Sequence, residues 1–291
     1  MAFFKLFPKV GYDLRNDGVL SNIVNLYRSV RPLQNFVDDV ATYKFYEVKD
    51  GERPDIVSQR LYGSPNFYWT FFIVNDFLHD GLASWPLSQQ AFTQYLESEY
   101  NGFAIQTAKP IVRRNSDLLI TDHENSLSGR FQIGETVTGN SSGMKGKLTK
   151  KIIDLNQLII QDVIPGVAGV HPHTGNSDNS IVGGSFIGTA GIGNNPVEQI
   201  TGFTTTDFVN TWEVWKYLDA PHYWYDETDP LKRVTDNARM IDGGTPDSNL
   251  KFVSNRAYLE ETNDQRSKIR IVDPNYIDRF VNTFEKILNT D

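Results

Sequence analysis

Apolar and polar positions change period several times along this chain. Residues Tyr43 to Val48 carry β-branched and aromatic side chains, which predicts a strand, and Lys49-Asp50-Gly51-Glu52 reads as the turn that ends it. Pro54 stands at a first helical position, with Ile56, Val57, Leu61 and Tyr62 on one face and Gly63 as the stop. Ser64 then caps a second helix, with Pro65 in its first turn and Phe67, Tyr68, Phe71, Phe72 and Val74 following. That helix is apolar nearly all round, so it is predicted to be deeply buried or held against a partner. Ser88 begins a further helix.

The middle of the chain has the two-residue period of short strands. Phe131, Ile133 and Val137 alternate with polar residues ahead of the turn signal Gly139-Asn140-Ser141-Ser142-Gly143. Asp154-Leu155-Asn156-Gln157 reads as a turn between two β-rich pieces within Lys151 to Val163, because Asp and Asn bond their own backbone in turns. Ser185 to Gly188 and Val197 to Ile200 supply two further strand candidates, and Gly166 to Gly184 reads as a long polar loop. At the far end Lys268 to Val272 alternates like a strand. Asp273-Pro274 starts a helix whose Tyr276, Ile277, Phe280, Val281, Phe284, Ile287 and Leu288 form a wide apolar stripe. Such a stripe belongs either to a core helix or to a helix that docks on a neighbouring subunit.

Composition sharpens the boundaries. Of 36 aromatic residues in 291, only five, all Phe, lie between Asn101 and Thr211. Fourteen of the 22 glycines fall between Gly129 and Gly202, and charge thins to ten residues between Gly129 and Phe203. Three properties shifting together predict an insert, 126–205, folded as a small all-β barrel or sandwich. Around it lie an N-terminal arm at 1–42, a module with connecting strands at 43–125, and a C-terminal segment at 206–291.

Charge and chemistry mostly exclude. A net charge of −8 argues against a nucleic-acid binder, and the absence of cysteine removes thiolate metal sites and cysteine nucleophiles. No apolar run is long enough to span a membrane, and MAFFKLFPKV lacks the pattern of a signal peptide. No Gly-x-Ser-x-Gly or His-Glu-x-x-His motif occurs. The glycines before Lys147 miss phosphate-loop spacing, with Leu148 where a hydroxyl is required, and Gly188 to Gly193 reads as a turn without a helix behind it. His171 and His173, two residues apart, are the candidates for a metal, with Asp178 nearby. The paired carboxylates read as caps or solvated faces, so the expectation is a protein without enzymatic activity or cofactor.

Residues 46–76, YEVKDGERPDIVSQRLYGSPNFYWTFFIVND, resemble a LysM-type module through Tyr46, Val48, Gly51, Ile56, Leu61, Gly63 and Asn75. The usual closing strand is replaced by Trp85-Pro86-Leu87-Ser88-Gln89-Gln90. FQIGETVTGNSSGMKGKL resembles a module repeated in phage structural proteins. The module followed by that Trp-Pro helix start, the stretch Pro221-His222-Tyr223-Trp224-Tyr225-Asp226, and the tail from Tyr258 to Leu288 together resemble the LysM-like baseplate wedge subunit of contractile-tailed bacteriophages. The resemblance covers 20–125 and 206–291. It implies an α+β fold: a LysM-like β-α-α module plus an aromatic-rich C-terminal α/β region, with the small all-β domain inserted.

The same resemblance implies a structural component of the inner baseplate wedge, in the virion and assembled in the host cytoplasm. Its expected partners are other wedge proteins, neighbouring copies across wedges, and sheath-initiating or hub proteins. Peptidoglycan binding by the LysM-like module is the alternative, and a cell-wall lytic enzyme stands behind it. Tyr and Trp crowd protein interfaces and also stack on sugars. Tyr62, Phe67, Trp69, Phe72, Trp85, Trp224, Tyr225, Tyr276, Phe280, Phe284 and Leu288 are the expected interface residues. On that reading, the chain without Asp273 to Asp291 keeps its module folded and loses only docking.

Overall fold

The computed structural model describes residues 6–25, 42–107, 127–140, 142–164, 199–234, 240–241, 245–246 and 249–289. In chain order its elements begin with strands β1 (Lys9–Tyr12), β2 (Ser21–Val24) and β3 (Tyr43–Glu47), and helices α1 (Pro54–Tyr62), α2 (Trp69–Val74) and α3 (Gln89–Glu99). Strands β4 (Phe103–Thr107), β5 (Thr136–Gly139), β6 (Lys145–Ile152), β7 (Gln157–Ile164), β8 (Gln199–Gly202) and β9 (Phe208–Lys216) follow. Then come β10 (Pro221–Asp226), β11 (Asp229–Val234), the short β12 (Met240–Ile241) and β13 (Thr245–Pro246), and β14 (Leu250–Ser254). Helix α4 (Asn255–Ser267), β15 (Lys268–Val272) and α5 (Ile277–Asn289) end the chain. Two compact units result: Met1–Thr93 with Glu260–Asp291, and Gln94–Leu259.

The first unit is organised by a pairing between the ends of the chain. β3 pairs antiparallel with β15, Tyr46 opposite Ile269 and Phe45 opposite Arg270. The second strand of this sheet therefore lies some 220 residues downstream of the first, well beyond the Trp85-Pro86 helix start that stands in place of a closing strand in the module. α1 begins at Pro54 and stops at Gly63, whose φ of 69° is the left-handed conformation that a glycine adopts without strain. Ser64 caps not the predicted helix directly but a 3-10 turn, by accepting from the Asn66 N–H at 3.3 Å; α2 follows at Trp69. Asp273 caps the last turn as its sequence suggested, accepting from Asn275 N–H at 2.9 Å.

Two asparagine side chains act in this unit as substitutes for a strand. Asn75, fully buried, donates to the carbonyl of Arg270 at 2.8 Å and accepts from its N–H at 2.8 Å, which closes the outer edge of β15. Asn263 holds both backbone groups of Leu87 in the same way. Near the turn, Glu52 accepts from Tyr46 Oη at 2.7 Å and the Lys49 N–H at 3.0 Å and pairs with Arg60. The backbone carbonyl of Glu52 takes the indole N–H of Trp85 at 2.7 Å.

In the second unit, six strands in the order β4-β7-β6-β5-β8-β9 close into an antiparallel barrel. Its interior holds Ile105, Val137, Leu148, Leu158, Ile160, Ile200 and Val209, all but dry, so alternate residues of every strand face one another across it. The predicted turn between β6 and β7 is present, with Asn156 at φ 50°. The barrel is wider in sequence than 126–205: β4 and β9 lie outside that range, and each is hydrogen-bonded into the closed sheet. A sheet made from 126–205 alone would leave β7 and β8 with open edges. The second sheet of this unit, β11-β10-β14, is also antiparallel.

The phage-like string is built around one carboxylate. Glu135, 6% exposed, accepts from the N–H groups of Gln132, Thr204 and Thr205 at 2.6, 3.1 and 3.1 Å, and from the Thr205 hydroxyl. A Cβ on Gly202 would stand 2.7 Å from both Glu135 Oε2 and Thr205 Oγ1, so only glycine lets the turn after β8 approach. Gly202→Ala is therefore expected to destabilise the second unit by about 1–3 kcal/mol, measured by urea unfolding of the whole chain.

Acid should loosen the first unit. Burial works to raise the Glu52 carboxyl, but the Lys49 N–H, Tyr46 and Arg60 outweigh it and hold it below its ordinary value of 4.5. Lys44, 2.8 Å away, and the Asn275 N–H lower Asp273 beneath 3.8. Depressed folded values mean that both contributions are complete above those ordinary values and are lost as the pH falls through the folded ones. The thermal midpoint is expected to drop as the pH falls below about 5, and the drop should be shallower in Glu52→Gln.

Candidate subunit-contact surfaces

The aromatic residues singled out as interface candidates divide by where folding puts them. Trp69 is 4% exposed; its ring lies 4.9 Å from Phe284 and 6.3 Å from Phe280. Phe280, Phe284 and Leu288 are buried beside Val74, Val272 and Ile277, so the apolar stripe of α5 is covered by the chain's own α2 and β15. The helix read as a docking element is a core helix of the first unit. Its outward side carries Asp278, Asn282, Glu285 and Lys286, all exposed. Trp85 is buried as well, with Phe71 at 5.9 Å and Phe72 at 5.8 Å.

Tyr62 is half-buried, donates to the carbonyl of Val272 at 3.0 Å and stacks 5.9 Å from Phe71; burial pushes its phenol up. Phe67 and Phe72 are half-buried at the margins of the same core, and only Tyr276 of the candidates in this unit is exposed, at 41%. In the second unit Trp224 is buried against Phe252 at 5.1 Å, while Tyr225 is half-buried on β10 opposite Lys251 and Arg233. Trp69, Trp85 and Trp224 thus present no flat face to a sugar or a partner. His171 and His173 lie outside the described residues. Among the described residues no group of three or more His, Asp or Glu is arranged to hold a metal ion.

What the surface does present is different. Phe45 is 84% exposed on β3, with Arg270 directly across the sheet. The β1–β2 hairpin exposes Val10, Tyr12, Val19 and Leu20. Two strands with an apolar surface facing water do not stand as an independent structure. The second unit exposes Phe203 and Leu231. Phe45 was legible in principle: alternation about Tyr46, which faces the core, sends Phe45 the other way. The hairpin carried no such signal, because its strands are only four residues long.

One opening in the first unit has a volume near 280 Å³ and is lined by Val48, Lys49, Asp50, Pro86, Phe92 and Glu260, among others. Asp50 is already occupied there, accepting from the first N–H of α3 (Gln89) at 2.7 Å. The arrangement has no convergent nucleophile and base, so its chemistry is that of a surface cleft.

Residues 2–109 match the phage family described as Base plate wedge protein 53, which supports the resemblance to a baseplate wedge protein. No curated protein matches the chain. The matched range takes in the hairpin, β3 and α1 to α3, but the strand and helix that complete their core, β15 and α5, lie beyond it. Removal of Asp273 to Asp291 is accordingly expected to unfold the first unit rather than spare it. Phe284→Ala alone should cost about 3–5 kcal/mol in chemical denaturation.

Proposed function

We propose that this chain is a structural subunit of the inner baseplate wedge, joining wedge proteins to one another and around the hub during assembly. The observation that carries the reading is the family match over 2–109, which supports a structural, virion-borne role in the tail baseplate. The wedge family is a structural one and not a known enzyme family. Exposed apolar side chains within the matched range, Phe45 and those of the hairpin, are consistent with assembly through buried interfaces. Permanent assemblies bury about 2,000 Å² or more, which ordered surface strands supply without catalytic machinery. The first unit's β-α-α order, closed by β15, is in keeping with a LysM-like module whose last strand comes from the far end of the chain. Glycan binding by that module is set aside on the inward orientation of Trp69 and Trp85.

A tagged chain produced in infected cells is expected to co-purify with intact tails through a density gradient and to resist removal by salt. Recovery only in the particle-free fraction would sink the assignment, and retention on insoluble peptidoglycan in its place would favour the glycan reading.

A further inference from the structure

Among the described residues, the first unit has two strand edges without a backbone partner, and their chemistry is complementary. In the β3–β15 pair, the Val48 N–H bonds Ser267 and the Asp273 N–H bonds Thr42. This parity turns the N–H and C=O groups of residues 44 and 46 toward β15 and those of Phe45 and Glu47 outward. In the hairpin, the Asn25 N–H bonds the carbonyl of Pro8, which by the same parity turns Lys9 and Gly11 outward on β1. Among the described residues, no hydrogen bond is made by the outward backbone of Phe45, Glu47, Lys9 or Gly11. Among the described residues, then, Asn75 closes the equivalent edge of β15, whereas the edge of β3 has no such cap.

We infer that β1 of one copy adds to the free edge of β3 of a second copy, antiparallel, with Gly11 opposite Phe45. That register brings Lys9 opposite Glu47, which on its other side faces Lys268 across the β3–β15 pair. It also brings Val10 beside Tyr46 and Tyr12 beside Lys44. Gly11 has no side chain, and a Cβ there would point at Leu20 3.5 Å away. The exposed Phe45 ring therefore settles over Gly11 onto Leu20, itself 69% exposed. Main-chain bonds supply the attraction and alternate side chains the selectivity, as in other strand additions. A β1-to-β3 contact is head-to-tail, so it propagates into a ring or an open row instead of stopping at a two-fold dimer. The inference deepens the assembly role proposed above by naming a contact between copies. It is tested on purified protein, so its failure leaves the tail co-purification result standing, and the reverse also holds.

Sedimentation of the full chain over a concentration series should show association beyond a dimer. Lys9→Glu and Glu47→Lys are surface changes, each expected to weaken association about five-fold, with the double swap returning to within about two-fold of the parent. Phe45→Pro and Gly11→Pro remove outward N–H groups and spare the bonds within each pair. Each should abolish chain growth, and an equal mixture of the two should form a dimer and nothing larger. Zero-length carboxyl–amine coupling in mixed light and heavy isotope chains should join Lys9 to Glu47 between copies. A monomer at every concentration, a double swap that fails to restore association, or coupling confined to single chains would each overturn the inference. The last outcome would mean that the hairpin folds back on its own β3.

Discussion

The pairing of β3 with β15 is the contact on which the first unit depends. It joins segments separated by more than 200 residues, and everything that covers the sheet is placed by it. Ile269 and Ile271 bring one face against α1, Phe71 and Trp85, and Val272 brings the other against α5. Closing so long a loop carries an entropic cost that grows only slowly with length, so burial of a handful of large side chains outweighs it. Asn75 makes the pairing terminal: by giving the outer edge of β15 a donor and an acceptor from one side chain, it completes that strand without a third.

Edges therefore decide what the first unit offers to others. Unpaired strand edges are commonly blunted by charges, prolines, bulges or covering elements. Here one is capped by an asparagine, and the other has no backbone partner among the described residues and lies beside an exposed phenylalanine. The aromatic wealth of the module, which sequence alone divides about evenly between core and interfaces, is spent largely inside: Trp69, Trp85, Phe71, Phe280 and Phe284 are buried with the aliphatic residues of the first unit's core. The second unit removes the edges of six of its strands differently, by closing them into a barrel.

Much of the local structure was legible because it rests on short-range physics. Pro54, Gly63, Ser88 and Asp273 marked helix ends through caps that reach no more than a few residues. Asp154 to Gln157 marked a turn through side chains that bond their own backbone. The contact surface was much less legible. An apolar stripe such as that of α5 looks the same whether a subunit or the chain's own α2 covers it, since periodicity reports a buried face and not what buries it.

The sequence by itself determined several element ends, at Pro54, Gly63, Ser88 and Asp273, that a Gly-rich β region sits within an aromatic-rich chain, and the likeness to wedge proteins. Only the tertiary structure decided which strand pairs with which. It drew β15 to β3, and it took β4 and β9 from outside the Gly-rich stretch to close the barrel. Strand partners are chosen by complementarity between distant segments, and that choice fixes which side chains remain in water. Phe45 is exposed and Trp69 is buried for that reason, although both are large aromatics in the same module.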